Sequence, residues 1–175
     1  MITLQRFTEQ DFPLLKRWAD SADMLMQFAG PALSFPLTDE QLHQSLSEPN
    51  RHAFTAADRR TGEMVGYGEV CRGEKKAYLG RIIVDPQKRA QGYGRALVDK
   101  LIEYAFVRLD QAELALNVFD WNDTAIHCYE RAGFRVNPNL KSERTINGQH
   151  WTALNMTLDR AAWQALQLQP HEPRP

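Results

Sequence analysis

The sequence has few cysteines, no long apolar run and no excess of charge of one sign. Its two cysteines, Cys71 and Cys128, are far apart and form no C-x-x-C pair, which argues against a disulfide scaffold or zinc ribbon and favours a reducing cytoplasm. No apolar run approaches the ~20 residues that span a bilayer, and the N-terminus does not resemble a signal peptide. The balance of 21 Lys and Arg against 22 Asp and Glu argues against a nucleic-acid binder. The histidines show no metal-ligand spacing, so we predict no metal site.

What remains is the composition of an ordinary globular domain. The 175 residues are 43% hydrophobic and 25% charged, and a chain of this length can bury a core without disulfides or metals. We predict a single domain over residues 1–168. Residues 169–175 form a predicted flexible tail, because three of the last six residues are proline.

Hydrophobic periodicity predicts an α/β (α+β) fold in the order β-α-α-β-β-β-α-β-α-β-β, with a helix at the end. The strongest helix runs from about Gly92 to Arg108, where apolar residues recur at the 3.6-residue period. Asn147-Gly148 lies between two strand-like runs, Ser142 to Ile146 and Gln149 to Leu158, and is a strong hairpin signal. We therefore expect a mixed, mostly antiparallel central sheet of about six to seven strands, flanked by helices and containing one parallel crossover.

A basic, glycine-containing loop over residues 85–95 carries the clearest functional signal. It lies between a β-branched strand and the long helix, whose first N–H groups and partial positive charge favour phosphate. Gly92 and Gly94 allow a ligand to approach the backbone closely. Residues 72–95 carry seven Lys or Arg against two Asp or Glu, a net charge of +5. The loop is therefore predicted to bind a polyanionic ligand.

Two common nucleotide-binding motifs do not fit this loop. A Rossmann fingerprint needs a third small residue where this chain has Leu97, and a Walker A loop needs Lys-Ser/Thr where it has Arg95-Ala96. A plain strand-to-helix turn is the alternative interpretation of the two glycines.

The flanking residues resemble the two signatures of the GNAT superfamily of acetyl-CoA-dependent N-acetyltransferases. Arg89-Ala-Gln-Gly-Tyr-Gly is similar to the Arg/Gln-x-x-Gly-x-Gly/Ala loop of that family, and residues 81–86 resemble its fourth strand. Residues 116–134 resemble the second signature: a strand, an Asn, a helix with a Tyr, and Gly-Phe. The closing Ile-Asn-Gly hairpin is similar to the ribosomal-protein and small-amine branches. The resemblance implies a GNAT-like fold, with acetyl-CoA as the acetyl donor.

The resemblance also implies which residues bind the cofactor. Ile82, Ile83 and Val84 would offer main-chain hydrogen bonds to the pantetheine arm, where the fourth and fifth strands part. Asn122 would contact the arm of coenzyme A, with a plain helix N-cap as the alternative. The pyrophosphate would lie against the loop, mostly on backbone N–H groups, and the loop residues are Arg89, Ala90, Gln91, Gly92, Tyr93, Gly94 and Arg95.

For the catalytic residues, the resemblance indicates an acid but leaves several candidates for the base. Tyr129 would protonate the leaving thiolate, since a phenol of pKa about 10 is a suitable donor; a core aromatic is its alternative. Related ribosomal-protein acetyltransferases carry a Glu five residues before the helix Asn, where this chain has Asn117. Glu69 is the candidate base here, with a cross-strand ion pair to Arg81 as its alternative. Asp120 is a further candidate, with the cap of a turn as its alternative, and an amine that arrives neutral needs no dedicated base.

We therefore predict an N-acetyltransferase that moves an acetyl group from acetyl-CoA to a primary amine in a ternary complex. A non-catalytic acyl-CoA sensor is the alternative from another class. Residues 1–50 carry seven acidic and three basic side chains, which favours a small cationic amine or a peptide N-terminus as acceptor. Acidic residues that stabilise helix N-termini explain the same count without a substrate. The expected partners are acetyl-CoA and this amine, without nucleic acid or membrane, and a homodimer is compatible with the sequence.

Overall fold

The computed structural model describes residues 1–146 and 148–168. Asn147 of the predicted hairpin turn and the predicted tail at 169–175 lie outside the described residues. Over the described part the strands are β1 (Ile2–Arg6), β2 (Arg51–Asp58), β3 (Met64–Cys71), β4 (Lys76–Val84), β5 (Glu113–Phe119), β6 (Arg135–Ile146) and β7 (Gln149–Asp159). The α-helices are α1 (Phe12–Trp18), α2 (Ala22–Ala29), α3 (Asp39–Leu46), α4 (Tyr93–Glu103), α5 (Asp123–Arg131) and α6 (Arg160–Gln167).

All seven strands form one sheet in the order β1-β2-β3-β4-β5-β7-β6. Neighbouring strands are antiparallel except for β4 and β5, which are parallel and joined through α4. The predicted mixed, mostly antiparallel sheet flanked by helices is therefore confirmed. None of the described helices is long and apolar enough to cross a bilayer.

The sheet is covered on both faces, and each face has its own hydrophobic core. On one face α4 and α5 pack over the middle of the sheet, and the apolar stripe of α4 is buried as predicted. On the other face the three N-terminal helices cover β2, β3 and β4. Central members of the first core are Val70, Leu97, Leu101, Leu116 and Met156. Central members of the second core are Phe7, Leu15, Trp18, Leu25 and Tyr67.

The order of elements differs from the prediction near the N-terminus. Three helices rather than two lie between β1 and β2, because residues 22–29 form α2. Ser21 caps this helix by accepting a hydrogen bond from the N–H of Met24 at 3.1 Å. The helix is only eight residues long, which gives little room for a periodic pattern to be recognised.

Two element boundaries also differ from the prediction. The long helix is α-helical only to Glu103 and continues as a π-helical turn over residues 104–108. Strand β6 begins at Arg135, well before the predicted start at Ser142. Its pairing with β7 shifts register between Val136 and Lys141, where the polar run Asn-Pro-Asn gives a loop-like pattern.

The parallel strands β4 and β5 separate towards their C-terminal ends. Their pairing covers only residues 76–78 against residues 113–115, although both strands continue beyond it. The helices α4 and α5 begin just after these two strand ends. A crevice at the carboxyl ends of parallel strands is a common ligand site in α/β sheets, so this opening locates the candidate site.

Leu101 tests the assignment of the core. Its side chain is completely buried beneath α4, so Leu101→Ala should lower the free energy of unfolding by about 3–5 kcal/mol. Val107, which is 60% exposed, provides the control, and Val107→Ala should change the same quantity by no more than about 0.5 kcal/mol. Urea unfolding followed by circular dichroism measures both. Equal losses for the two variants would contradict the assignment.

Candidate active site

The loop between β4 and α4 combines a right-handed 3-10 turn with two residues of positive φ. It begins with a 3-10 turn over Pro86–Lys88, in which the carboxylate of Asp85 accepts a hydrogen bond from the N–H of Gln87 at 2.9 Å. Ala90 and Gly92 then adopt positive φ angles of 59° and 85°. A combination of this kind can turn backbone N–H groups towards one side, where they form a concavity that binds anions.

The N-terminus of α4 lacks the side-chain cap that four of the other five described α-helices have, and only α1 shares this lack. The residue that precedes α4 is the left-handed Gly92. By contrast, side chains of Ser21, Thr38, Asn122 and Asp159 cap α2, α3, α5 and α6. The first N–H groups of α4 therefore remain available for an external acceptor such as a phosphate.

The two glycines of the loop serve different purposes. Gly92 is required by its backbone, since its left-handed φ disfavours any side chain. Gly94 lies in the first turn of α4, and a Cβ there would meet only the Val84 side chain at 3.7 Å. The fold therefore tolerates a side chain at residue 94, and its absence leaves space beside the helix N-terminus.

The loop is tied to the turn between β2 and β3. The hydroxyl of Tyr93 donates a hydrogen bond to Asp58 at 2.5 Å, and Lys88 forms an ion pair with Glu63 at 2.8 Å. The hydrogen bond from Tyr93, together with those from two backbone N–H groups in the turn, lowers the pKa of Asp58 to about 2. The Tyr93 side chain thus anchors the loop, and only the backbone of Tyr93 remains for its predicted contact with the cofactor.

The positive charge of this region is smaller than the sequence count indicates. Four of the seven basic residues in 72–95 form ion pairs with acidic residues outside that range. Arg95, for example, contacts Asp99 one turn further along α4 at 2.8 Å. Arg89 and Gln91 lie exposed on the loop, where they are accessible to a ligand.

The open edge of β4 presents alternate backbone groups. The N–H of Asp85 bonds to the carbonyl of Val65 on β3 at 3.0 Å, so the polar groups of Ile83 point to β3 as well. Those of Ile82 and Val84 point to the opposite edge, because hydrogen-bonding directions alternate along a strand. Ile82 and Val84 are therefore placed as the prediction requires, whereas the direction of Ile83 does not favour its predicted cofactor contact.

Asn122 and Tyr129 lie on the α5 side of the opening. The Asn122 side chain accepts a hydrogen bond from the N–H of Ala125 at 3.3 Å, so the N-cap alternative is present, and its contact with coenzyme A stays a prediction. Tyr129 is half-buried against the first core, with its ring edge-on to Phe134 at 6.1 Å. Burial raises the pKa of the Tyr129 hydroxyl, which keeps the phenol protonated at neutral pH.

Glu69 does not have the surroundings of a general base. Its side chain is completely buried. One carboxylate oxygen receives a hydrogen bond from Arg51, and the other receives hydrogen bonds from Tyr67 and, at 3.2 Å, from Arg81. The alternative ion pair with Arg81 is thus present. Since no part of the carboxylate is exposed, an acceptor amine cannot reach it, and this geometry does not favour the predicted catalytic role.

Asn117 is held by a second asparagine on the neighbouring strand. It lies directly opposite Asn155 in the β5–β7 register. The amide nitrogen of Asn155 donates to the Asn117 side-chain oxygen at 3.1 Å and to the Leu116 carbonyl at 3.4 Å. Asn117 is exposed, and with its oxygen engaged it presents N–H groups to solvent. This position therefore offers a hydrogen-bond donor where the related enzymes carry a carboxylate.

The sequence did not reveal an aromatic cluster at the end of β5. The Phe119 and Trp121 rings stack at 5.8 Å, and Trp151 of β7 packs edge-on against both rings. Trp121 is 48% exposed, so its ring lies at the surface rather than in either hydrophobic core. The only signal for the cluster is the strand alternation that brings Phe119 and Trp151 to one face, and this signal depends on the β5–β7 pairing.

The cysteines and metal-ligating residues add no further site. Cys71 and Cys128 are both half-buried and free, and burial raises the pKa of each thiol. Within residues 1–146 and 148–168, no three His, Cys, Asp or Glu side chains are grouped so that they could hold a metal ion.

Comparison with known proteins now connects this geometry to a family. Residues 16–134 match the Acetyltransferase (GNAT) family. A spermidine N(1)-acetyltransferase from Vibrio cholerae is 27% identical over 128 residues, which cover 70% of this chain and 72% of the relative. A peptidyl-lysine N-acetyltransferase from Salmonella typhimurium is 28% identical over 158 residues, which cover 89% of this chain and 97% of the relative.

The fold agrees with a solved structure. The crystal structure of spermidine N-acetyltransferase from Vibrio cholerae in complex with CoA and spermine superposes with a TM-score of 0.79. The match covers 93% of this chain and 98% of that chain at 22% sequence identity.

These findings confirm the prediction of an acetyl-CoA-dependent N-acetyltransferase that acts on a primary amine, and the alternative of a non-catalytic sensor is not supported. The family match covers both signature segments, namely the loop that precedes α4 and the strand-to-helix unit of β5 and α5. The chain belongs to the GNAT acetyltransferase family.

Proposed function

We propose that the acceptor is a polyamine such as spermidine. The observation that carries this proposal is the likeness to spermidine N(1)-acetyltransferase, and the charge of the N-terminal helices supports it. Asp20 lies exposed in the turn between α1 and α2, and Asp23 lies exposed in the first turn of α2. Two exposed carboxylates so close together attract a cation that carries several ammonium groups.

The protein substrates of the second relative provide a competing acceptor. The likeness to a peptidyl-lysine N-acetyltransferase covers more of this chain than the likeness to the polyamine enzyme does. Both acceptors present a primary amine on a flexible alkyl chain, so the same chemistry serves both. The competing acceptor predicts turnover with lysine-containing peptides and little turnover with free polyamines.

The proposed reaction is direct attack of the neutral amine on the thioester carbonyl. The pantetheine arm lies along the open edge of β4, with Ile82 and Val84 as its hydrogen-bonding residues, and the pyrophosphate lies at the N-terminus of α4. Tyr129 donates its proton to the leaving thiolate. Since Glu69 is enclosed and Asn117 presents N–H groups, the proton of the amine passes to water rather than to a dedicated carboxylate. A cytoplasmic location and a homodimer stay predictions.

Gly94 tests the phosphate site. In Gly94→Val, the branched side chain occupies the space beside the N-terminus of α4, so affinity for coenzyme A should fall by at least about tenfold, or 1.4 kcal/mol. The fold should persist, because a Cβ at this position makes only an ordinary contact with Val84. Lys100→Val places the same side chain on an exposed part of α4 and should bind coenzyme A as the wild type does. Isothermal titration calorimetry measures both affinities. A wild-type affinity of Gly94→Val for coenzyme A would refute the assignment of the phosphate site.

Tyr129 tests the proposed acid. Tyr129→Phe removes only the hydroxyl, so kcat should fall by roughly 10²–10⁴-fold while the dissociation constant of coenzyme A stays the same. The matched control is Tyr104→Phe, which removes a hydroxyl that bonds to His52 at 3.1 Å, and it should keep the wild-type kcat. Thiol release from acetyl-CoA measures both rates. If chemistry is rate-limiting and Tyr129→Phe turns over normally, Tyr129 is a core aromatic.

Charge reversal at Asp20 and Asp23 tests the proposed acceptor. For spermidine, kcat/KM should fall with rising ionic strength in the wild type, because the steering field is screened by salt. Asp20→Lys and Asp23→Lys, separately and together, should lower kcat/KM at low salt and flatten this dependence. Glu74→Lys reverses an exposed charge in the β3–β4 turn and should leave the dependence unchanged. Turnover of a lysine peptide without turnover of spermidine would exclude the polyamine, and a salt-independent kcat/KM for spermidine would exclude steering by Asp20 and Asp23.

A further inference from the structure

Strand β4 contains a bulge at Arg81 and Ile82, where its open edge begins. Tyr67 pairs with Ile83 and Glu69 pairs with Gly80, so Gly68 alone faces two residues of β4. Of these two residues, Arg81 has a left-handed φ of 49°. Where a bulge residue is left-handed, that residue is ordinarily glycine, and any other side chain makes this conformation unfavourable. Something other than the local backbone must therefore hold the bulge.

The side chain of Arg81 provides the missing restraint. Its guanidinium group donates to the Ser45 hydroxyl of α3 at 2.6 Å and to the carboxylate of Glu69 on β3 at 3.2 Å. The Arg81 side chain is only 10% exposed, and that of Glu69 is fully buried. The Arg81 side chain thus ties the bulge to α3 and to β3. A buried ion pair whose groups are all hydrogen-bonded has a defined geometry.

The position of the bulge connects this restraint to the chemistry. Two residues of β4 facing one residue of β3 change the direction in which the following peptide groups point. Ile82 is the second residue of the bulge, and its polar backbone groups face the gap between β4 and β5. A shift of the bulge therefore turns the Ile82 peptide group relative to the thioester, whereas the loop that precedes α4 lies beyond β4 and is held separately by Asp58 and Glu63.

We propose that Arg81 is a positioning residue for acetyl transfer, because its guanidinium group, held between Glu69 and Ser45, fixes the β4 bulge that aims the Ile82 peptide group at the thioester. The inference rests on the proposed path of the pantetheine arm along the open edge of β4. It assigns Glu69 an indirect role as the anion that holds Arg81. Acetyl transfer should therefore depend on Arg81 more strongly than cofactor binding does.

The chain offers a closely matched control. Arg51 also donates to Glu69, and its side chain is 15% exposed, but it lies at the start of β2, and its side-chain hydrogen bonds go to Glu48 and Glu69 rather than to the bulge. Loss of either arginine breaks one ion pair of the same buried carboxylate. A role in stability alone would affect Arg81→Met and Arg51→Met alike, and a role in positioning would separate them.

The experiment measures kcat, KM, affinity for coenzyme A and thermal stability for both variants, with the amine that the wild type acetylates fastest. Arg81→Met should lower kcat by about 10–100-fold, the loss expected when a reacting group is misplaced. Its affinity for coenzyme A should change by no more than about twofold, or under 0.5 kcal/mol, because the loop that precedes α4 is held separately by Asp58 and Glu63. Arg51→Met should lose stability and keep kcat. Equal kcat values for Arg81→Met and the wild type, or equal losses for the two variants, would overturn the proposal.

Amide hydrogen exchange provides a second measurement that needs no substrate. Exchange across residues 80–83 of the free protein should be faster in Arg81→Met than in Arg51→Met and the wild type. If Arg81→Met does not fold, Ser45→Ala removes one of the two partners of Arg81 and should raise exchange and lower kcat in the same direction. Wild-type exchange in Ser45→Ala would overturn the proposal. A wrong acceptor would show itself in the wild type alone, as absent turnover with spermidine.

Discussion

Strands β4 and β5 pair over three residues and then separate. Beyond this point, the backbone groups of the two strands that face each other across the gap are not paired. Backbone N–H and C=O groups need hydrogen-bond partners, so the gap is a place for water or for a ligand with amide groups of its own. The pantetheine arm contains such amides, and its insertion would continue the hydrogen bonding of the sheet. The same separation leaves the N-termini of α4 and α5 at one end of the molecule.

A strand that has lost one neighbour needs support from elsewhere, and β4 receives it from both faces of the sheet. Ile82 packs against the core beneath α4, and Ile83 packs against the core beneath the N-terminal helices. Between these two anchors and the paired start of the strand lies the bulge at Arg81. The N-terminal helices therefore support β4, and they also carry Asp20 and Asp23, which are proposed to attract the acceptor.

Sequence patterns predicted the parts of this architecture that depend on local or repeating signals. The stripe of α4, the loop glycines and the β5–α5 signature all lie in continuous segments, and each was identified. Contacts between distant segments were harder to predict from the sequence. Glu69 could be paired with Arg81 by strand neighbourhood, but its enclosure by Arg51 and Tyr67 depends on register. The charge count failed for the same reason, since the acidic partners of Lys76 and Lys88 lie outside the counted segment.

The hydrogen bond between Tyr93 and Asp58 makes the loop between β4 and α4 an extension of the β2–β3 hairpin. A loop that is already held in its binding conformation loses little conformational entropy when the ligand arrives, and this preorganisation increases affinity without any additional contact. Because the pKa of Asp58 is only about 2, the carboxylate stays charged and the tie persists even in mildly acidic solution. At the phosphate site proposed above, affinity for coenzyme A would therefore depend in part on Asp58 and the turn that it holds, which belong to neither family signature.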